Sequence, residues 1–133
     1  MKFSKRLQFF FTDMHEWLRT KTGAWCFVSA LFLLALTVAL PIWRILPLAE
    51  SRPFIPLHYN IYLGVDRLGP WYQIFIVPAL GFGLFLFHLV LQTIAFRKEK
   101  LLATMLAIAI VLIEAILLFA MTLIVLLNLS YAA

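Results

Sequence analysis

Three long apolar runs dominate the chain, at 24–46, 70–96 and 101–127. Each is long enough to cross a hydrocarbon core of about 30 Å as a helix rising 1.5 Å per residue. Arg44 is the single charge in the first run and lies near its end. A cleaved leader would have a shorter apolar stretch, of roughly 7 to 15 residues, followed by a small-x-small cleavage site, and none follows here. Only Arg97, Lys98, Glu99 and Lys100 separate the second run from the third, which forces those two helices into an antiparallel pair.

Ahead of the first run, Phe3, Leu7, Phe10, Met14 and Trp17 recur at three- and four-residue spacing, with Phe9 and Phe11 widening the apolar face. Residues 1–23 therefore read as an amphipathic helix on the inner leaflet, in preference to a helix docked on the bundle. The predicted fold is an all-α membrane protein: three transmembrane helices at 24–128, an extracytoplasmic loop at 47–69, an N-terminal amphipathic interfacial helix and a short tail at 129–133. Pro41 and Pro78 lack the amide proton a helix interior requires and are expected to kink the first two spans. Gly81 and Gly83 then offer a site of close helix approach.

Composition agrees with a bilayer as the solvent: 65% of residues are apolar, 13% charged, and the mean hydropathy is +1.01. The net charge of +5 is not a nucleic-acid signature, because the cations divide between two short stretches flanking the spans. One holds Lys2, Lys5, Arg6, Arg19 and Lys21, and the other Arg97, Lys98 and Lys100. Arg52 and Arg67 in the intervening loop are offset by Glu50 and Asp66. With three spans both basic stretches fall on one side, so the N-terminus is expected in the cytoplasm and the C-terminus outside, in a cell inner (cytoplasmic) membrane. Anionic lipid of the inner leaflet is the expected partner for these cations, and no nucleic acid is expected.

The single cysteine, Cys26, cannot form an intrachain disulfide or a CxxC pair. No cofactor or metal set is visible, and neither a nucleophile triad nor a phosphate-binding glycine loop occurs, so no enzyme is expected.

The loop is the most patterned stretch. Pro53 and Pro56 disfavour helix before them, and Asn60, Gly64, Asp66 and Gly69 are turn formers, which predicts a hairpin-like or irregular cap. Its order of Pro56, His58, Tyr59, Asn60, Gly64 and Asp66, with Pro78 near the start of the next span, resembles the DUF1648 family, the membrane segment at the start of SdpI-like bacterial immunity and signal-transduction proteins. In that family a first span leads to a P-x-H-[FWY]-N loop, then Gly and Asp, then a proline-bearing span. The resemblance covers roughly residues 25–85 and implies action by contact with another membrane protein or a second copy. His58, Asn60 and Asp66 could gather into a polar, metal-binding or pH-sensitive cluster; the favoured reading is that they satisfy loop backbone groups.

Within the spans, Glu114 stands out, since a charged carboxylate at mid-membrane costs several kcal/mol. It is expected to be protonated, to face protein opposite Gly81 and Gly83, and to donate to the Thr37 carbonyl that Pro41 leaves free. His88, about 7 Å from it in depth, is expected to form a hydrogen-bonding stripe with Gln92. His15 belongs to the amphipathic helix. Asn128, Leu129 and Ser130 match a glycosylation acceptor that abuts the membrane and is set aside. The expected role is contact with a membrane-protein partner or within a homo-oligomer; the alternative is an oligomeric proton-coupled small transporter using Glu114.

Overall fold

The computed structural model describes residues 2–131, with side chains from residue 5 onward. The expected contributions of Lys2, Phe3 and residues 132–133 lie outside the described side chains and residues. Four helices account for most of the chain: α1 (Lys2–Arg19), α2 (Lys21–Arg44), α3 (Ile76–Phe96) and α4 (Lys100–Ser130). Between α2 and α3 stand strands β1 (Phe54–Asn60) and β2 (Gly64–Pro70), flanked by 3-10 turns at Leu46–Leu48 and Trp71–Phe75. Three helical segments, Lys21–Leu48, Trp71–Phe96 and Lys100–Ser130, are long and apolar enough to cross a membrane.

α4 is the central element. It packs along both α2 and α3, which touch each other much less. Its buried residues Ala103, Ala107, Ile110, Glu114, Met121, Val125 and Asn128 follow three- and four-residue spacing, with one place skipped between Glu114 and Met121. α2 buries Gly23, Ala30, Leu34, Thr37 and Pro41 in the same rhythm. Small side chains at these positions leave room for the helix backbones to approach. Large apolar residues such as Phe32, Phe82, Leu112 and Phe119 point away from the bundle and are more than half exposed.

The fold is not purely helical. β1 and β2 form an antiparallel hairpin with Phe54 opposite Pro70, Ile55 opposite Gly69 and Asn60 opposite Gly64. The pairing slips around Leu57 and His58, between Pro56, which has no amide proton to give, and Tyr59. At the tip Gly64 adopts φ +76°, a left-handed conformation open to glycine at little cost, and the Asn60 side chain accepts from the Tyr62 amide at 2.9 Å. Ile55 is buried in a cluster with Ile45, Ile74, Met121 and Val125. The Asn128 side-chain amide donates to the Pro56 carbonyl at 2.7 Å, tying the hairpin to the end of α4.

The second apolar helical segment, Trp71–Phe96, starts within one residue of the expected position, but its first turns are 3-10 rather than α. Pro70 is the last residue of β2 rather than the first of a helix, and the following 3-10 turn delays α3 to Ile76. Pro78 is therefore the third residue of α3, in a first turn whose amides have no intrahelical partner anyway, so it starts the helix instead of kinking it. Pro41 does lie inside α2, one turn before its end, and the 3-10 turn Leu46–Leu48 follows.

α1 also departs from expectation, because its C-terminal half is docked on the bundle. Trp17 is 2% exposed and packs with Phe96, Ala95, Ala103 and Ala107. Its indole nitrogen donates to Gln92 at 2.9 Å, and Asp13 pairs with Arg97 at the start of the α3–α4 connection. Toward the N-terminus Leu7, Phe9 and Phe11 remain exposed. The two basic stretches of the sequence thus meet at one end of the bundle, and the hairpin occupies the other.

Candidate functional site

Two places concentrate chemistry: the middle of the bundle and the hairpin. At the first, Glu114 is completely buried, and neither carboxyl oxygen has a hydrogen-bond partner among the described residues. The space it occupies exists because Gly81 of α3 has no side chain. A methyl there would lie 2.9 Å from Glu114 Oε2 and 3.2 Å from the ends of Leu34 and Leu117. Three helices therefore converge on one carboxyl group.

The expected bond from Glu114 to the Thr37 carbonyl does not form. Thr37 is fully buried on α2, but its hydroxyl donates back to Leu33 at 2.9 Å, and the carboxyl lies against Gly81 instead. Gly83 plays no part, since nothing stands within 4 Å of where its side chain would be. His88 is half-buried, with its ring Nδ1 3.0 Å from the Leu84 carbonyl. It does not join Gln92 in a stripe, because Gln92 is engaged with Trp17. His15 is exposed on α1.

An unpartnered, fully buried carboxyl is rare because removing a polar group from water without a compensating bond costs on the order of 1–3 kcal/mol even when neutral. It gives the bundle an unmet hydrogen-bonding demand at its centre. Neither described pocket is lined by Glu114.

At the hairpin, His58 Nδ1 and Asp66 Oδ1 sit 2.7 Å apart across the strands, with side chains 63% and 29% exposed. Asn60 is not part of this pair; it serves the turn. Among the described residues no group of three His, Cys, Asp or Glu side chains could hold a metal ion. Beyond the pair, Ile61, Tyr62 and Leu63 form a tip that is 80%, 91% and 76% exposed. Between the base of β1 and α4 runs an open apolar groove of about 650 Å³, lined by Leu57, Tyr59, Leu123, Ile124 and Leu127, with His58 at its rim.

Three structurally decisive polar residues escape a reading by periodicity. Asp13 looks like part of a solvated face, Trp17 like an apolar anchor, and Asn128 like a modification motif. The available signal was the lone amide, Asn128, at the end of a long and mostly apolar run. Compared with protein-family models, curated proteins and solved structures, the chain matches none.

Proposed function

We propose that this chain is a multi-pass protein of a bacterial cytoplasmic membrane, N-terminus inside and C-terminus outside, that acts by contact with another membrane protein rather than by catalysis. The hairpin is the contacting element. The observation that carries this reading is its tip: three consecutive large apolar residues, Ile61 to Leu63, stand almost fully exposed on a support held by the Asn128 bond and the Ile55 cluster. A rigid base with an apolar end suits recognition, since little ordering remains to be done on binding. The resemblance of the loop to DUF1648 supports an immunity-like, signalling-like or accessory role. The cations of α1 and the α3–α4 connection support the orientation, with the exposed Leu7, Phe9 and Phe11 dipping into the inner interface.

A photo-crosslinking residue placed at Tyr62 tests the contact, with Leu112 on the bundle exterior as the control position. A discrete protein adduct in intact cells from position 62 and not 112 is expected; adducts of lipid alone from both sites would refute a protein-contact role. An impermeant thiol reagent should label a cysteine at 62 and spare one at 98 in the same Cys26→Ser background, and the reverse labelling would overturn the orientation.

One observation favours a second reading. The unsatisfied Glu114 carboxyl is the kind of group that proton-coupled carriers place at mid-membrane, and an oligomer could open a path to it. Proton flux in liposomes that disappears in Glu114→Gln would support this reading, and equal flux in both proteins would remove it.

A further inference from the structure

At the basic end of the bundle, α1 and the end of α3 enclose a second pocket, of about 300 Å³, at the lower end of the range for small-ligand sites, roughly 300–1,000 Å³. Its charged lining is Arg6, Asp13, Arg97 and Lys98, three cations against one carboxylate; Phe9, Phe10, Thr93 and Ile94 form the rest. We propose that this pocket binds the phosphate headgroup of an anionic glycerophospholipid, one molecule per chain.

The geometry of Arg97 is the first support. Asp13 takes its Nε, and the guanidinium stands 5.7 Å from the centre of the Phe9 ring. Those two contacts keep the guanidinium beside the pocket while the side chain remains 55% exposed. Both terminal Nη groups are then available to a phosphate, in the planar fork that makes arginine a bidentate anion ligand. Asp13, itself an anion, is neutralised in the same act and does not repel the ligand. Arg6 approaches from α1 and Lys98 from the α3–α4 connection, so the cations belong to separate elements brought together by the docking of α1 through Trp17, which bonds Gln92 and packs on Phe96.

The second support distinguishes a lipid from a free anion. Ile94 lines the pocket, and Val90 and Phe87 continue from it along α3 at helical spacing. All three are exposed, at 53%, 42% and 58%, and form a continuous apolar track leading from the cations toward the middle of the span. Free phosphate has no use for that track, whereas the acyl chains of a lipid held by its headgroup would lie along it.

The inference rests on the membrane reading given above, whose own failure would be seen separately as release of the chain from membranes by alkaline carbonate. Native mass spectrometry from mild detergent doped with phosphatidylglycerol or phosphatidylcholine provides the test. The wild-type chain is expected to retain one phosphatidylglycerol and no phosphatidylcholine. Arg6→Gln with Lys98→Gln should weaken retention about tenfold or more, the loss of at least one charge-assisted contact. Arg19→Gln with Lys21→Gln removes the same charge outside the pocket and should leave retention unchanged. Equal losses in the two double variants would mean diffuse attraction and overturn the site. Equal retention of phosphatidylcholine would overturn it as well, as would inorganic phosphate forming the adduct in place of lipid. Both pairs of side chains are exposed, and circular dichroism in the same detergent confirms that each variant is folded.

Discussion

Replacing Gly81 with alanine tests whether the Glu114 carboxyl is held where it is by a missing side chain. The new methyl would meet Oε2 at 2.9 Å, closer than carbon and oxygen sit without bonding, and the Leu34 and Leu117 ends at 3.2 Å. Overpacking of this kind costs about 1–3 kcal/mol. Alanine is also the better helix former, by about 1 kcal/mol, so the net loss in the wild-type background should be near 1 kcal/mol. In a Glu114→Ala background the carboxyl is gone, the methyl enters vacated space, and the same substitution should stabilise by up to about 1 kcal/mol. The helix term is common to both backgrounds and cancels from the difference. A coupling of about 1–3 kcal/mol with a reversal of sign remains. Reversible unfolding in mixed dodecylmaltoside and dodecylsulfate micelles, followed by circular dichroism for all four proteins, measures it. Additivity within about 0.5 kcal/mol would refute the claim that Gly81 and the carboxyl share one space.

Trp17→Phe keeps the aromatic packing on Phe96 but strands Gln92 without its donor; a loss of about 1–3 kcal/mol and faster amide exchange across α1 are expected, read by hydrogen exchange in micelles. Asn128→Leu removes the bond to the Pro56 carbonyl and should cost about 1 kcal/mol, with faster exchange in residues 54–60 and none in α1. Gly64→Val forces a β-branched residue into φ +76° and should cost about 1–2 kcal/mol, seen as loss of the hairpin's exchange protection while the helices keep theirs.

Hydropathy and charge make the long apolar helices, their antiparallel order and the meeting of the basic stretches at one end of the bundle readable, because each depends on runs of residues rather than on single contacts. Packing faces are another matter. On helices that are apolar all round, a hydrophobic stripe carries no contrast, and the buried faces of α2 and α4 are marked instead by what is small or polar: Gly23, Ala30 and Thr37, then Ala103, Ala107, Glu114 and Asn128. Pro70 followed by two aromatics looks like a helix start, and a 3-10 turn does begin at Trp71, yet cross-strand pairing with Phe54 also makes Pro70 the end of the hairpin and delays α3 to Ile76, which puts Pro78 in the first turn of α3. Asp13 was legible as a charge but not as a partner, since Arg97 lies far along the chain and only the fold brings it close.

The central place of α4 has a consequence for assembly. α2 and α3 have little surface in common, and the cluster beneath the hairpin needs Met121 and Val125. Without α4, α2 and α3 keep little beyond the contact of Phe27 with Phe85 and the clasp of α1, Gly81 faces no carboxyl, and the hairpin lacks its floor. Arrival of α4, the last helix made, is therefore the event that converts a loosely joined pair of helices into one body, so that a chain truncated before it should be the form most exposed to degradation.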